Sequence, residues 1–280
     1  MEDIIVKRHH EMVYPAVRML AGNVGGSGTV IYSAPDSRGK VHTLVIGCHH
    51  VIESLIKIKE EWEPRVGRNV KVERRAEAVC EVFRYNRISE CIGVTGIQSQ
   101  IVAYSARVDL ALLEMNDTEH VYEYVATLVP KDAVDSILLS SELWAVGAAL
   151  LHPPILTQGF LNFKNDIIEN EAYWMSSAQI IYGNSGGSMY WYGTPAARHY
   201  FIGVPAKINL SIAGFSATPI THMGYFVPPT TLYDFLDEND YQFVYDNTTS
   251  YEECAKKRAE KTEKETERIA MIQGLIERRE

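Results

Sequence analysis

The chain has 280 residues, 46% of them apolar and 22% charged, with a net charge of −9 at pH 7. That length supports one large core or two modest ones. The acidic balance argues against a nucleic-acid binder, because no basic surplus is present to neutralise phosphates. No run approaches the roughly 18 apolar residues of a membrane span. Met1 to Arg8 lacks the long apolar core of a secretory signal, so no membrane association and a cytoplasmic location are expected. Cys48, Cys80, Cys91 and Cys254 form no C-x-x-C pair, which points to free thiols in a reducing compartment and to no metal site.

In chain order, Ala16 to Leu20 and Thr29 to Ser33 read as short strands around Gly25-Gly26-Ser27-Gly28, and Val41 to Gly47 as another that ends at Cys48-His49-His50-Val51. Val51 to Ile56 suits one or two helical turns. Val70 to Tyr85 alternates well enough for a long strand or a hairpin arm, followed by Ile101 to Tyr104 and the apolar run Val108 to Leu113. Glu114 to Asp132 is mixed and reads as a crossing between two halves.

The second half repeats the style of the first. Strands are expected at Leu143 to Val146, Ile155 to Leu161, Ala172 to Met175, Gly187 to Tyr192, Tyr200 to Ile208 and Met223 to Val227. Pro228-Pro229 stops the last of them, and Thr231 to Leu236 reads as a short helix. Many short strands with turn signals between them, and hardly a long amphipathic helix, indicate an all-β sandwich or barrel.

Beyond Asp237 the character changes. Asp237 to Ser250 reads as a polar linker, and Tyr251 to Glu280 as a charged helix with eight acidic and eight basic residues, so the β body carries the whole −9. Glu253 with Lys257 and Glu260 with Lys264 have the favourable i,i+4 spacing. Ile269, Ile272 and Ile276 share one face, which makes this tail a candidate for oligomerisation or for docking a partner protein.

The chemistry centres on Gly183-Asn184-Ser185-Gly186-Gly187, a tight turn between apolar runs with one hydroxyl at its tip. A serine is a poor nucleophile alone and needs an imidazole base and a carboxylate to orient that base. Glycines allow the turn to aim successive N–H groups, those of Gly183 and Ser185, at one point where an oxyanion would develop. His50 stands where a strand run gives way to a helical turn, and Asp109 opens an apolar strand, where an unpaired carboxylate would be costly. His49 stands beside His50, and either imidazole is chemically competent.

Gly26-Ser27-Gly28-Thr29-Val30-Ile31, Cys48-His49-His50-Val51-Ile52-Glu53, Val108-Asp109-Leu110-Ala111-Leu112-Leu113 and Gly183-Asn184-Ser185-Gly186-Gly187-Ser188 together resemble the successive motifs of trypsin-like serine peptidases, in particular the Deg/HtrA-type branch. The resemblance spans Tyr14 to Leu236. It implies a chymotrypsin-like fold of two antiparallel six-stranded β-barrels, divided as 1–122 and 123–240, with 241–280 as linker and charged helical tail and no PDZ domain. It implies a peptide-bond hydrolase acting on polypeptides with no cofactor, in which His50 is the base, Asp109 the orienter and Ser185 the nucleophile. The family sets its base directly before a Val-Val-like pair, here Val51-Ile52, which selects His50 over His49.

The same register implies that Gln179 and Ile180 lie at the primary specificity pocket and that Pro205, Ala206 and Lys207 pair with substrate backbone. An uncharged pocket base implies a small or medium apolar side chain in the substrate. Asn184 stands where digestive members carry an aspartate that pairs with a newly cut N-terminus, so loop packing must set the oxyanion hole here. The alternative is a catalytically idle, protease-like scaffold or binding protein attached through its C-terminal helix.

Overall fold

The computed structural model describes residues 4–64, 67–88, 90–193, 196–213 and 216–277, with the side chains of the last helix described to residue 264. A short helix, Ile4–Arg8 (α1), leads into a wider turn that buries Met12 and Val13. The strands that follow are Ala16–Ala21 (β1), Val24–Pro35 (β2), Val41–Gly47 (β3), Ile56–Glu63 (β4), Arg68–Arg75 (β5), Ala78–Arg87 (β6), Glu90–Ser105 (β7) and Leu110–Met115 (β8). Between β3 and β4 sits the one-turn helix His49–Ile52 (α2). After a crossing segment come Glu142–Gly147 (β9), Ile155–Ile168 (β10), Glu171–Ser176 (β11), Ser188–Gly193 (β12), Arg198–Ala213 (β13) and Ser216–Val227 (β14). Pro229–Glu238 (α3) and Tyr251–Glu277 (α4) end the described chain.

Two closed antiparallel barrels of six strands result, ordered β1-β2-β3-β8-β7-β6 and β10-β11-β14-β13-β12-β9. The all-β double-barrel expectation holds. In β3 every residue is buried, His42 and Thr43 included, which explains the unbroken run Leu44-Val45-Ile46 in place of alternation. Among the described residues no helix is long and apolar enough to cross a membrane.

Several local expectations fail for identifiable reasons. The glycines at 25, 26 and 28 are not a turn between strands; they lie inside β2, paired with Leu20, Met19 and Val17. Bare backbone is required there, since a methyl on Gly26 would lie 2.7 Å from Val51 Cγ2 and one on Gly28 2.6 Å from Val45 Cγ1. Val70 to Tyr85 is not one strand but parts of β5 and β6, broken at Ala76-Glu77. Strand β5 pairs only with β4, as a two-stranded ribbon outside the barrel.

The polar linker is a further correction. Residues 242–244 form a turn of helix, and Tyr241 and Phe243 are buried. Phe243 packs edge-on against Tyr32 of β2 at 4.8 Å and Tyr251 of α4 at 5.2 Å, so the segment trailing the second barrel is anchored on the first. Tyr251 in turn stacks on His42 at 4.0 Å, and Cys254 is fully buried. Helix α4 opens with a reciprocal capping box: Ser250 N–H donates to Glu253 Oε2 and Glu253 N–H to Ser250 Oγ, both at 3.1 Å.

That cap takes Glu253 away from the expected pairing with Lys257, while Glu260 lies 3.9 Å from Lys256 rather than beside Lys264. The face formed by Ile269, Ile272 and Ile276 falls outside the described side chains. Replacing Phe243 by alanine is expected to lower unfolding free energy by about 3–5 kcal/mol, the usual cost of truncating a buried aromatic. A urea titration checks this, and an unchanged midpoint would contradict the anchoring role.

Candidate active site

Strand β3 delivers Cys48 and then α2, and Asp109 meets that helix from just before β8. The Asp109 backbone takes a left-handed φ of 54°, a conformation tolerated by aspartate and rare for other side chains. This turns its carboxylate back onto α2. Asp109 Oδ1 accepts the His50 backbone N–H at 2.9 Å, and Oδ2 lies 2.7 Å from His50 Nδ1. A carboxylate only accepts, so the contact assigns the ring proton to Nδ1 and leaves Nε2 as the free acceptor of a neutral imidazole.

His49 does not compete for this contact. Its backbone N–H reaches Asp109 O at 3.3 Å, but its ring stacks on Tyr104 at 5.3 Å. His50 is exposed at the cleft and Asp109 is largely covered, with side-chain exposures of 44% and 14%.

The Gly183–Gly187 turn is held peptide by peptide. Tyr182 O accepts the Leu150 N–H at 2.8 Å, and Gly183 O accepts the Ser27 hydroxyl at 2.6 Å. Asn184 O accepts the Gly187 N–H at 2.9 Å, and Ser185 O accepts the Ser27 N–H at 2.8 Å. In a trans peptide the carbonyl and the following N–H point opposite ways. Pinning Tyr182 O and Asn184 O therefore sends the Gly183 and Ser185 N–H groups to the other side of the turn. Among the described residues neither of those N–H groups takes a hydrogen bond.

Asn184 is buried, and its Oδ1 accepts the Ile181 N–H at 3.1 Å, so its side chain stabilises the turn locally. Gly183 and Gly186 have φ of 92° and 86°. A methyl on Gly186 would lie 2.1 Å from Ser27 O and 3.0 Å from Cys48 N, which is how closely the turn approaches β2 and the start of α2. Gly186→Ala is expected to cost about 3 kcal/mol of stability, from backbone strain and overpacking together, which chemical denaturation checks.

Ser185 Oγ and His50 Nε2 are not hydrogen-bonded to each other, and neither atom has a partner among the described residues. Hydrogen bonds of this kind are often long where no substrate is bound. The cleft at His50 is lined by His50, Asp109, Glu53, Arg107, Tyr173 and Lys207 among others. Ion pairs frame it: Arg107 pairs with Glu171 at 2.8 Å, and Lys207 pairs with Glu169 while lying 5.5 Å from the Tyr173 ring centre. Burial, with the Asp109 charge second, pushes the Tyr173 phenol well above its ordinary range, so this residue stays neutral.

The residues assigned to the substrate pocket fare differently. Gln179 is exposed, and its carbonyl accepts the Thr157 hydroxyl at 2.9 Å. Ile180 is buried, and a methyl on Gly224 would lie 2.6 Å from its Cδ1, so isoleucine fills the space there. Pro205 O is already engaged by the Cys48 thiol at 3.2 Å and the Gly186 N–H at 2.9 Å, so that carbonyl is not free for a bound strand. Ala206 and Lys207 line the cleft. Ser27, Ala148 and Leu150 hold the turn without having been expected to; the hydroxyl between Gly26 and Gly28 was the one visible signal.

Donor atoms of Cys48, His50 and Asp109 lie within 4.8 Å of one another, a spacing compatible with a cation. Burial first, and the Asp109 charge next, push the Cys48 thiol well above its ordinary range, whereas a metal ligand must be thiolate. Both Asp109 oxygens are already committed to His50. The two Asp109 contacts therefore mark a His50–Asp109 pair.

The architecture is the chymotrypsin-like double barrel, with His50 and Asp109 on the first barrel and the Ser185 turn on the second. Among solved structures it is similar to the HtrA-type protease AlgW with tripeptide and to a substituted form of that protease, also with tripeptide. Each aligns at a TM-score of 0.57 and 13% identity, over 85% of this chain and 64% of the other. The chain thus spans just under two thirds of those proteins, and at such identity the likeness is one of fold. No family model and no curated protein matches the chain.

Proposed function

We propose that the protein is a serine endopeptidase that works through an acyl-enzyme. His50 Nε2 takes the Ser185 hydroxyl proton as Ser185 Oγ attacks the scissile carbonyl carbon. The Gly183 and Ser185 N–H groups hold the resulting oxyanion. Collapse breaks the C–N bond, and His50 returns its proton to the leaving amine. Water then attacks the ester by the same route and frees Ser185. Asp109 holds the imidazole tautomer throughout and stabilises the imidazolium that forms.

The observation that carries this reading is the two-point grip of Asp109 on His50 beside a turn whose two N–H groups are unengaged. The space taken by Ile180 against Gly224 supports a small or medium apolar side chain at the substrate position before the cut. All four cysteines are free, which supports a reducing compartment. The helical tail remains the proposed attachment for a second copy or a partner.

The open Ser185–His50 link is what favours the scaffold reading. Digestion of an unfolded protein such as casein separates the two. Cleavage that stops when the enzyme is saturated with a fluorophosphonate supports the peptidase; cleavage that persists, or none by folded protein, counts against it.

A further inference from the structure

Ser27 is fully buried on β2 of the first barrel, yet every polar atom it offers toward the second barrel is used there. Its hydroxyl donates to Gly183 O at 2.6 Å and accepts the Ala148 N–H at 2.7 Å, while its backbone N–H donates to Ser185 O at 2.8 Å. A hydroxyl has one proton, and the Ala148 N–H occupies a lone pair, so that proton is directed at Gly183 O. The Gly183–Asn184 peptide is thereby held at both ends, since the Asn184 N–H reaches Ile181 O at 3.0 Å.

Ala148 begins the segment in which Leu150 and Leu151 take left-handed φ of 51° and 62°, and Leu150 N–H is the group that pins Tyr182 O. Such a conformation persists only where the surroundings enforce it. One buried hydroxyl therefore restrains the peptide after Gly183 directly and the peptide before it through the 148–151 segment.

We infer that Ser27 is a positioning residue for the oxyanion-binding N–H groups: a first-barrel side chain that sets the second barrel's nucleophile turn. The inference rests on the serine-peptidase reading of the same site. The Ser27 hydroxyl makes no contact with the Ser185 hydroxyl, and its backbone N–H meets only the Ser185 carbonyl. It acts by fixing the direction of the Gly183 N–H, which matters where negative charge develops and little where substrate is merely bound.

The test compares wild type, Ser27→Ala and Ser27→Thr, with rates expressed per site labelled by a fluorophosphonate, so that unfolded molecules are not counted. Ser27→Ala is expected to lower kcat about 10-fold or more with KM within about twofold, because loss of an oxyanion donor outright costs about 100- to 1000-fold. A peptide aldehyde, whose adduct carries the oxyanion, should weaken by the same factor, and Ser27→Thr should recover most of both. Ser27→Ala turning over within about twofold of wild type per labelled site would overturn the inference, as would an aldehyde affinity that stays constant while kcat falls. Wild type that is not labelled at Ser185 removes the peptidase reading itself, and this inference with it.

Discussion

Replacing Ser185 by alanine is expected to lower peptide hydrolysis by about 10⁴-fold or more and leave the fold intact. Members of a nucleophile–base pair act as a unit, so removing either one removes nearly all the covalent route. What survives is the contribution of substrate binding and the oxyanion donors, roughly 10³–10⁴ over water. The side chain is small and half-buried, and its hydroxyl has no partner among the described residues, so deleting it leaves no buried polar group stranded. Melting temperature should stay within a degree or two while kcat collapses. A variant that retains more than a few per cent of wild-type turnover would show that another group does the chemistry.

Asp109→Asn should cost about 10⁴-fold in kcat, by a route visible in the hydrogen bonds. The His50 backbone N–H must find an acceptor, and Asp109 Oδ1 supplies it at 2.9 Å. In the asparagine variant the amide oxygen is drawn to that N–H, which turns the amide NH₂ toward His50 Nδ1. Nδ1 then has to accept, and the ring proton moves to Nε2, the atom that must take the serine proton. Geometry is preserved and the base is lost. Kinetics at neutral pH, set beside a crystal structure of the variant, checks both halves. A rate within about tenfold of wild type would mean that Asp109 does not govern the tautomer.

The parts of the molecule legible in the sequence were those whose chemistry is written in residue type. His50, Asp109 and the Ser185 turn stand out because each combines a reactive group with a local signal, a strand end or a glycine turn. The choice of His50 over His49 came from the family resemblance, through the Val51-Ile52 pair that follows, and the structure places the ring of His49 against Tyr104. The barrels were legible because β3 and β8 carry the apolar runs Leu44-Val45-Ile46 and Leu110-Ala111-Leu112-Leu113, as strands covered on both faces do.

What stayed hidden depends on contacts between segments far apart in the chain. The glycines of β2 look like a turn locally and are demanded by neighbours outside their own segment, Leu151 at Gly25, Val51 and the Ser185 carbonyl at Gly26, and Val45 at Gly28. Strand β4 is too charged to read as sheet, because the β4–β5 ribbon leaves the barrel and needs no buried face. The linker is polar by count, yet Phe243 and Tyr241 find the first barrel. Ser27 was in view as part of a motif, but nothing local indicates that its hydroxyl spans 156 residues to reach Gly183.

The most direct measurement is peptide mapping of the intact protein after reaction with a fluorophosphonate. A single adduct on Ser185 is predicted, abolished by Ser185→Ala and strongly slowed by Asp109→Asn. No adduct on folded wild-type protein, or an adduct elsewhere that survives loss of the Ser185 hydroxyl, would contradict the account.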